Sequence, residues 1–357
     1  MLKNLENLFG DRTLLLIGGT GSLGNAFMEL ICSERFGNPQ RVVVFSRDEA
    51  KQYYMRNKFS ELHPEMMNKT HFRIGDIRDA SSLRKVLRKE MDIIINMAAL
   101  KHIPPYEYLP EEAIKTNVNG IFNLVEAIRE TRCNSEMMVQ VSTDKACKPV
   151  NTYGMTKALA ERIVTSANLY SEHTTFFSVR YGNVLQSRGS MIPFFKKCLE
   201  SDQPIPLTDA RMTRFLMTLE DSCYLIMRAI AAKYRGTILV PELSSVRVVD
   251  VIEAMKNHYG KPNHPVEVVG IRPGEKIDEI LISEEEIMRT KKLDNDFIIE
   301  PQFTEVPEEY GNSTRKISIE KMNHLQSCGL TSEYSSVSKL LSPEDCSKRL
   351  YDLGVLE

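Results

Sequence analysis

The apolar residues of this chain come in short blocks, each closed by glycine or polar residues. Residues 12–17, 41–45, 71–74, 92–97, 137–141 and 174–180 are rich in branched, sulfur-bearing or aromatic side chains. Such runs read as strands, and most are apolar enough to be buried on both faces. Between them the spacing turns helical, at 26–31, across 111–128 as one long helix, and at 158–164. Strand and helix in alternation predict a parallel sheet with right-handed crossovers. Residues 1–11 read as a lead-in with one amphipathic turn.

From about residue 184 the pattern loosens. A helix opens near Met191, a short strand covers 204–208, and a helix covers 220–234. A strand follows at 236–240, a helix starts at 246–250, and one more strand lies at 265–269. The expectation is an α/β fold, a Rossmann-like doubly wound parallel sheet with a smaller C-terminal substrate-binding domain. Residues 1–183 form the nucleotide-binding domain, rejoined by about 236–260. Residues 184–235 and 261–357 form the substrate-binding region and a C-terminal extension, which is mixed and polar and suits wrapping the body or an oligomer partner.

Size and composition narrow the class. The 357 residues suit two lobes, and 42% hydrophobic with 26% charged residues is ordinary for a soluble globular protein. A formal net charge of −2 gives no reason to expect nucleic acid or an anionic membrane. No apolar run approaches a bilayer span, and no signal peptide is visible. The seven cysteines include no C-x-x-C pair, so no metal is expected and a reducing, cytoplasmic compartment is. Cys147 reads as a small filler.

The first strand runs directly into Gly18, Gly19, Thr20, Gly21, Ser22, Leu23 and Gly24, and then a helix. Glycines at 18, 21 and 24 suit a tight turn, a close approach by a diphosphate, and helix-on-strand packing. The second strand ends on Ser46 and Arg47, with Lys51 a turn later, where an NAD enzyme usually has an acid. That favours the 2′-phosphate of NADP; Asp48 is the dissenting residue and reads as a helix cap. Asp76, beside Ile77 after the third strand, can accept from an adenine amino group or cap a helix. Ala98 and Ala99 leave room for a cofactor ribose.

The fifth strand leads into Ser142, Thr143, Asp144, Lys145, Ala146 and Cys147, then Tyr153 and Lys157 on one helix face. A lysine beside a tyrosine favours the phenolate, which can take a hydroxyl proton while hydride leaves the same carbon. Thr143 can bond that hydroxyl.

These residues, with Arg180–Val184, resemble the extended short-chain dehydrogenase/reductase family. Ser142 to Ala146 with Pro149, Asn151 and Tyr153 are more closely similar to the soluble UDP-N-acetylglucosamine 4,6-dehydratases that also invert C5. So are Phe45–Glu49, Ala98–His102, Ser187–Ser190, Met212–Met217, Pro273–Lys276 and Leu330–Tyr334. The resemblance implies NADP as cofactor, UDP-N-acetylglucosamine as substrate and a homo-oligomer. Some relatives carry Met where Tyr153 stands. Carried over, Tyr153 takes the 4-hydroxyl proton, Lys145 removes the C5 proton and Asp144 protonates the departing 6-hydroxyl. Lys145 should then be neutral, its pKa lowered by burial, Lys157 and the oxidised nicotinamide. Asp144 should be raised by burial. Lys101, Asn183, Arg188, Thr208, Arg214, Arg272 and Glu275 are substrate candidates, the arginines for the diphosphate. Arg211 and Lys276 read as solvated charges. A retaining UDP-N-acetylglucosamine 4,6-dehydratase, a UDP-sugar 4-epimerase and a non-enzymatic NADP sensor or scaffold compete with this reading; the epimerase leaves Asp144 and Lys145 unexplained, and the sensor predicts a missing tyrosine or lysine where both are present.

Overall fold

A computed structural model describes residues 5–88, 90–131, 133, 135–185, 190–305 and 322–356. Six parallel strands form the centre: β1 Thr13–Ile17, β2 Arg41–Ser46, β3 Thr70–Ile74, β4 Ile93–Asn96, β5 Met137–Thr143 and β6 Thr175–Tyr181. They lie in the order β3-β2-β1-β4-β5-β6, and Ile238–Pro241 adds to β6 in parallel. The order reverses between β1 and β4, so a crevice opens at the carboxyl ends of the strands there. Register brings those ends level: Ile17 is opposite both Phe45 and Asn96, and Asn96 is opposite Gln140. Between β4 and β5 the Asn96 amide donates to the Gln140 side chain at 2.8 Å, satisfying two buried polar groups.

Both faces of the sheet are covered, as its apolar strands require. One core holds Leu14, Leu16 and Val44 against Phe27 and Ile31 of the helix Ser22–Cys32 and Ile226 and Ile230 of the helix Leu219–Ala232. The other holds Leu15, Ile17 and Ile94 against the helices Gly120–Thr131 and Thr152–Ala167. A separate core joins Ile192, Phe195, Leu207, Val251, Ile252 and Leu350 in the smaller lobe.

Several pieces sit differently from the division expected at 184–235, 236–260 and 261–357. The helix Leu219–Ala232 packs on the nucleotide-binding side. The helix Val248–His258 belongs to the smaller lobe, so only Ile238–Pro241 of the 236–260 stretch returns to the sheet. The hairpin Thr290–Leu293 with Asp296–Ile299 extends the main sheet antiparallel, with Gln326–Ser327 at its edge. An amphipathic pattern tells that a helix has one buried face, not which core takes it.

The long helix expected at 111–128 is helical throughout, but Ile114–Asn119 is wound as a π-helix between Pro110–Ala113 and Gly120–Thr131. Its Asn117 is buried and brackets Leu100, accepting from Leu100 N and donating to Leu100 O, both at 2.9 Å. The π turn thereby fixes the loop after β4, a common use of such turns beside functional sites. Among the described residues no helix is long and apolar enough to cross a membrane.

Candidate active site

A cavity of about 780 Å³ occupies the crevice and continues between the lobes. It is lined by Gly18, Thr20, Gly21, Ser22, Leu23, Gly24, Ser46, Arg47, Lys51, Asp76, Ile77, Ala98, Ala99 and Lys101. Thr143, Asp144, Lys145, Tyr153, Lys157, Asn183, Arg214, Arg272 and Glu275 line it too. Thr208 does not, and Arg188 falls outside the described residues.

The first turn fits a dinucleotide. Gly21 caps the helix Ser22–Cys32 with no side-chain hydrogen bond, leaving the first amides free. A Cβ on Gly21 would meet only Gly18 O, at 3.4 Å, and would fill the space through which a diphosphate reaches those amides. At the end of β2, Asp48 caps the helix Glu49–Leu62 by accepting from Lys51 N. Its carboxylate also pairs with Lys51 Nζ at 2.7 Å. Lys51 thus stands at the ribose end already tied to Asp48, while Arg47 lines the cavity. Asp76 accepts from Arg78 Nε at 3.0 Å and Nη2 at 2.7 Å, so part of its capacity for adenine is taken.

At the carboxyl end of β5 the chain makes a 3₁₀ turn, Asp144–Ala146, with Thr143 as its cap. Asn151 then caps the helix Thr152–Ala167, accepting from Gly154 N at 2.7 Å and donating to Gly274 O at 2.7 Å. Glycine is needed at 154, because a Cβ there would lie 2.1 Å from Lys145 O. The tyrosine helix therefore seats directly on the Lys145 turn.

Asp144 is fully buried. Its Oδ1 accepts from Thr143 Oγ1 at 2.8 Å, Lys145 N at 2.9 Å and Lys145 Nζ at 3.1 Å. Its Oδ2 is buried without a partner among the described residues. Burial pushes the Asp144 carboxyl up, against the pull of Lys145 and aided by Glu279, as expected of an acid.

Lys145 departs from expectation. Burial works to lower it, but the carboxylates of Asp144 at 3.1 Å and Glu279 at 3.2 Å outweigh that, and its pKa is raised. It is an ammonium here, not the neutral amine that burial alone would produce.

Tyr153 departs likewise. Burial raises its hydroxyl to about 12, more than the Lys145 ammonium and the Thr143 hydroxyl lower it. Lys157 donates to Val141 O at 2.5 Å, and burial brings its own pKa down to about 8. Cys147 is buried and raised to about 12 by that burial, which suits a filler and not a nucleophile.

Two basic side chains are also reassigned. Arg214 spends its fork on the chain: Nη1 donates to Thr213 O at 2.7 Å and Ile277 O at 2.8 Å, and Nη2 to Lys276 O at 3.1 Å. Its Nε lies 3.7 Å from Glu279. It braces the 276–279 segment, and those donors are not presented to a diphosphate. Lys276 is no solvated charge: it donates to Cys147 O at 2.7 Å and lines the cavity. Arg211 pairs with Asp209 at 2.8 Å on the exterior. Glu275 keeps one buried oxygen, Oε2, without a partner among the described residues, which suits a ligand hydroxyl. Sequence reasoning missed Glu279, which follows the Pro273–Lys276 motif at once and shows no signal apart from it.

A doubly wound sheet, a glycine turn and a tyrosine–lysine helix at one crevice define a Rossmann-type dehydrogenase/reductase fold with a nucleotide-sugar-sized cleft. The family described as polysaccharide biosynthesis protein matches residues 14–301, and the chain belongs to it. A UDP-N-acetylglucosamine 4,6-dehydratase (inverting) of Campylobacter jejuni serotype O:23/36 is 36% identical over 305 residues, 85% of this chain and 86% of that protein. A UDP-glucose 4-epimerase of Rickettsia canadensis is 37% identical over 289 residues, 80% of this chain and 82% of that one. The X-ray structure of Pen from Bacillus thuringiensis superposes with a TM-score of 0.82 at 31% identity, over 98% of this chain and 99% of that chain.

Proposed function

We propose that this enzyme removes water across C5 and C6 of UDP-N-acetylglucosamine and inverts C5, with NADP as a recycled cofactor. The observation that carries the reading is the Asp144–Lys145 pair: a fully buried carboxyl with one oxygen unpartnered, touching an amine, in the cavity that Tyr153 lines. A 4-epimerase needs Tyr153 and Lys157 but has no use for that pair.

NADP, held by the Gly18–Gly24 turn with Ser46, Arg47 and Lys51, would supply the redox chemistry as hydride acceptor for sugar C4 and donor for C6. Tyr153, in the phenolate form that the Lys145 ammonium favours, accepts the 4-hydroxyl proton, with Thr143 holding the same oxygen. The resulting 4-ketone acidifies the C5 hydrogen, and Lys145 removes it. Asp144 delivers its proton to the 6-hydroxyl, and water leaves. A proton added to C5 from the opposite face completes a redox-neutral reaction to UDP-2-acetamido-2,6-dideoxy-β-L-arabino-4-hexulose. Lys145 must first shed a proton, and since Asp144 carries its own, the carboxylate within reach to take it is Glu279, at 3.2 Å. Arg47 with Ser46 and Lys51 suits a 2′-phosphate; Glu275 and Arg272 suit the uridine diphosphate end, and Lys101 and Asn183 the sugar.

Incubation with UDP-N-acetylglucosamine in D₂O, followed by NMR from the first minutes, tests this. The expected first product has lost one water, carries deuterium at C5 and shows L-arabino couplings. A D-xylo first product refutes inversion; an epimer with no loss of water refutes dehydration.

A further inference from the structure

Glu279 touches no substrate atom in the chemistry above, yet it is more deeply built into the site than Lys145. Its residue is 2% exposed, and its backbone is clamped by Ser336, whose Oγ accepts from Glu279 N at 2.9 Å and whose amide donates to Glu279 O at 2.8 Å. Ser336 Oγ in turn lies 2.5 Å from Thr213 Oγ1. Three segments of the smaller-lobe side therefore meet to place one carboxylate. Its Oε1 is 3.2 Å from Lys145 Nζ and 3.7 Å from Arg214 Nε, and its Oε2 is buried without a partner among the described residues.

One ammonium thus lies between two buried carboxylates. Burying two like charges beside one cation is costly, and such a pair resolves by one member keeping a proton. Asp144 is the member suited to keep it, since every donor that reaches it goes to Oδ1 and Oδ2 is bare. Glu279 is the member suited to stay ionised, since it faces the Arg214 and Lys276 cations as well as Lys145. We propose that Glu279 is the standing counter-ion of Lys145, a positioning residue that fixes the ammonium and leaves the Asp144 carboxyl free to carry its proton. Its use in turnover rests on the dehydratase reading; the charge arrangement does not.

The charged and titratable groups around the pair are Glu279, Arg214, Lys276, Lys101 and Tyr153. Of these, Glu279 is the anion acting on Asp144. The test is a pH titration of the protonated-carboxyl infrared band of Asp144, identified by its loss in Asp144→Asn, on the full chain with its cofactor. Glu279→Gln makes Asp144 the sole carboxylate on Lys145, so the midpoint should fall by about 1–3 pH units. Glu279→Asp keeps the anion and should hold the midpoint nearer that of the unmodified enzyme. Asp144 acts as an acid, so the alkaline limb of the dehydration profile should move to lower pH in Glu279→Gln, with KM nearly unchanged. An unmoved infrared midpoint in a Glu279→Gln protein that still binds cofactor overturns the proposal. If Glu279→Gln does not fold, the titration is read in Glu279→Met, and an unmoved Asp144 midpoint there overturns it. Failure of the unmodified enzyme to dehydrate the sugar would sink the reaction assigned above and leave the infrared result to decide this one.

Discussion

Beneath the site, Arg180 at the end of β6 is buried between two carboxylates from different parts of the chain. It donates from Nε and Nη2 to Glu161 of the tyrosine helix at 3.0 and 2.7 Å. It donates from Nη1 and Nη2 to Glu286 of the short helix Glu284–Ile287 at 2.8 and 3.0 Å. Burial alone would raise the Glu286 carboxyl, but Arg180 overrides it, and the pKa falls from an ordinary 4.5 to about 2. A carboxyl depressed in the folded state adds stability above its unfolded pKa and loses it as pH falls through its folded pKa. The difference corresponds to about 3 kcal/mol at neutral pH, present above about pH 5 and gone near pH 2. Glu286→Gln should therefore cost about 3 kcal/mol at pH 7, in line with removing one partner of a buried pair. Urea unfolding followed by circular dichroism, at a series of pH values, measures both parts. The gap between the unmodified protein and the variant should narrow steadily on acidification. A gap that stays constant with pH, or stays under about 1 kcal/mol at pH 7, would refute the assignment of this pair as the clamp holding the 284–287 segment under the site.

Tyr153→Phe should lower turnover by about 10²–10⁴-fold, the usual worth of a positioned acid–base group, with the fold retained by circular dichroism. Lys145→Ala should abolish water loss in the mass-spectrometric assay. Because the Lys145 ammonium is the cation that lowers Tyr153, the same variant should also slow the initial oxidation by about tenfold, read as cofactor reduction after mixing with substrate. Denatured, purified protein should release NADP into the supernatant on chromatography; NAD there would overturn the reading of Ser46, Arg47 and Lys51.

What the sequence showed best was local. The apolar blocks named five buried sheet strands because a strand buried on both faces needs a continuous apolar run; the sixth, Thr70–Ile74, is a largely exposed edge strand. The glycine turn and the Tyr153–Lys157 helix were legible because their residues are neighbours in the chain. What it hid was tertiary. Lys276 read as a solvated charge and Arg214 as a diphosphate ligand until the fold brought backbone carbonyls to them. Thr208 adjoins a real strand, Ile205–Leu207, yet is not among the residues that line the cavity. Glu279 is 134 positions from the lysine it pairs with, and no periodicity links the two.

The same distinction explains why the expected protonation state of Lys145 came out reversed. Two lysines are buried at this site, and burial lowers the pKa of each. Lys157 meets a neutral carbonyl, that of Val141, and its nearest charged partner acts weakly, so burial wins and it falls to about 8. Lys145 meets two carboxylates within hydrogen-bond reach, so Coulomb attraction wins and it rises. The sequence shows that a lysine follows a strand; it does not show which anion waits there. A cation at 145 also favours negative charge on the Tyr153 oxygen. On the dehydration proposed above, the site would hold that cation for the first proton transfer and pass its proton to Glu279 before the second.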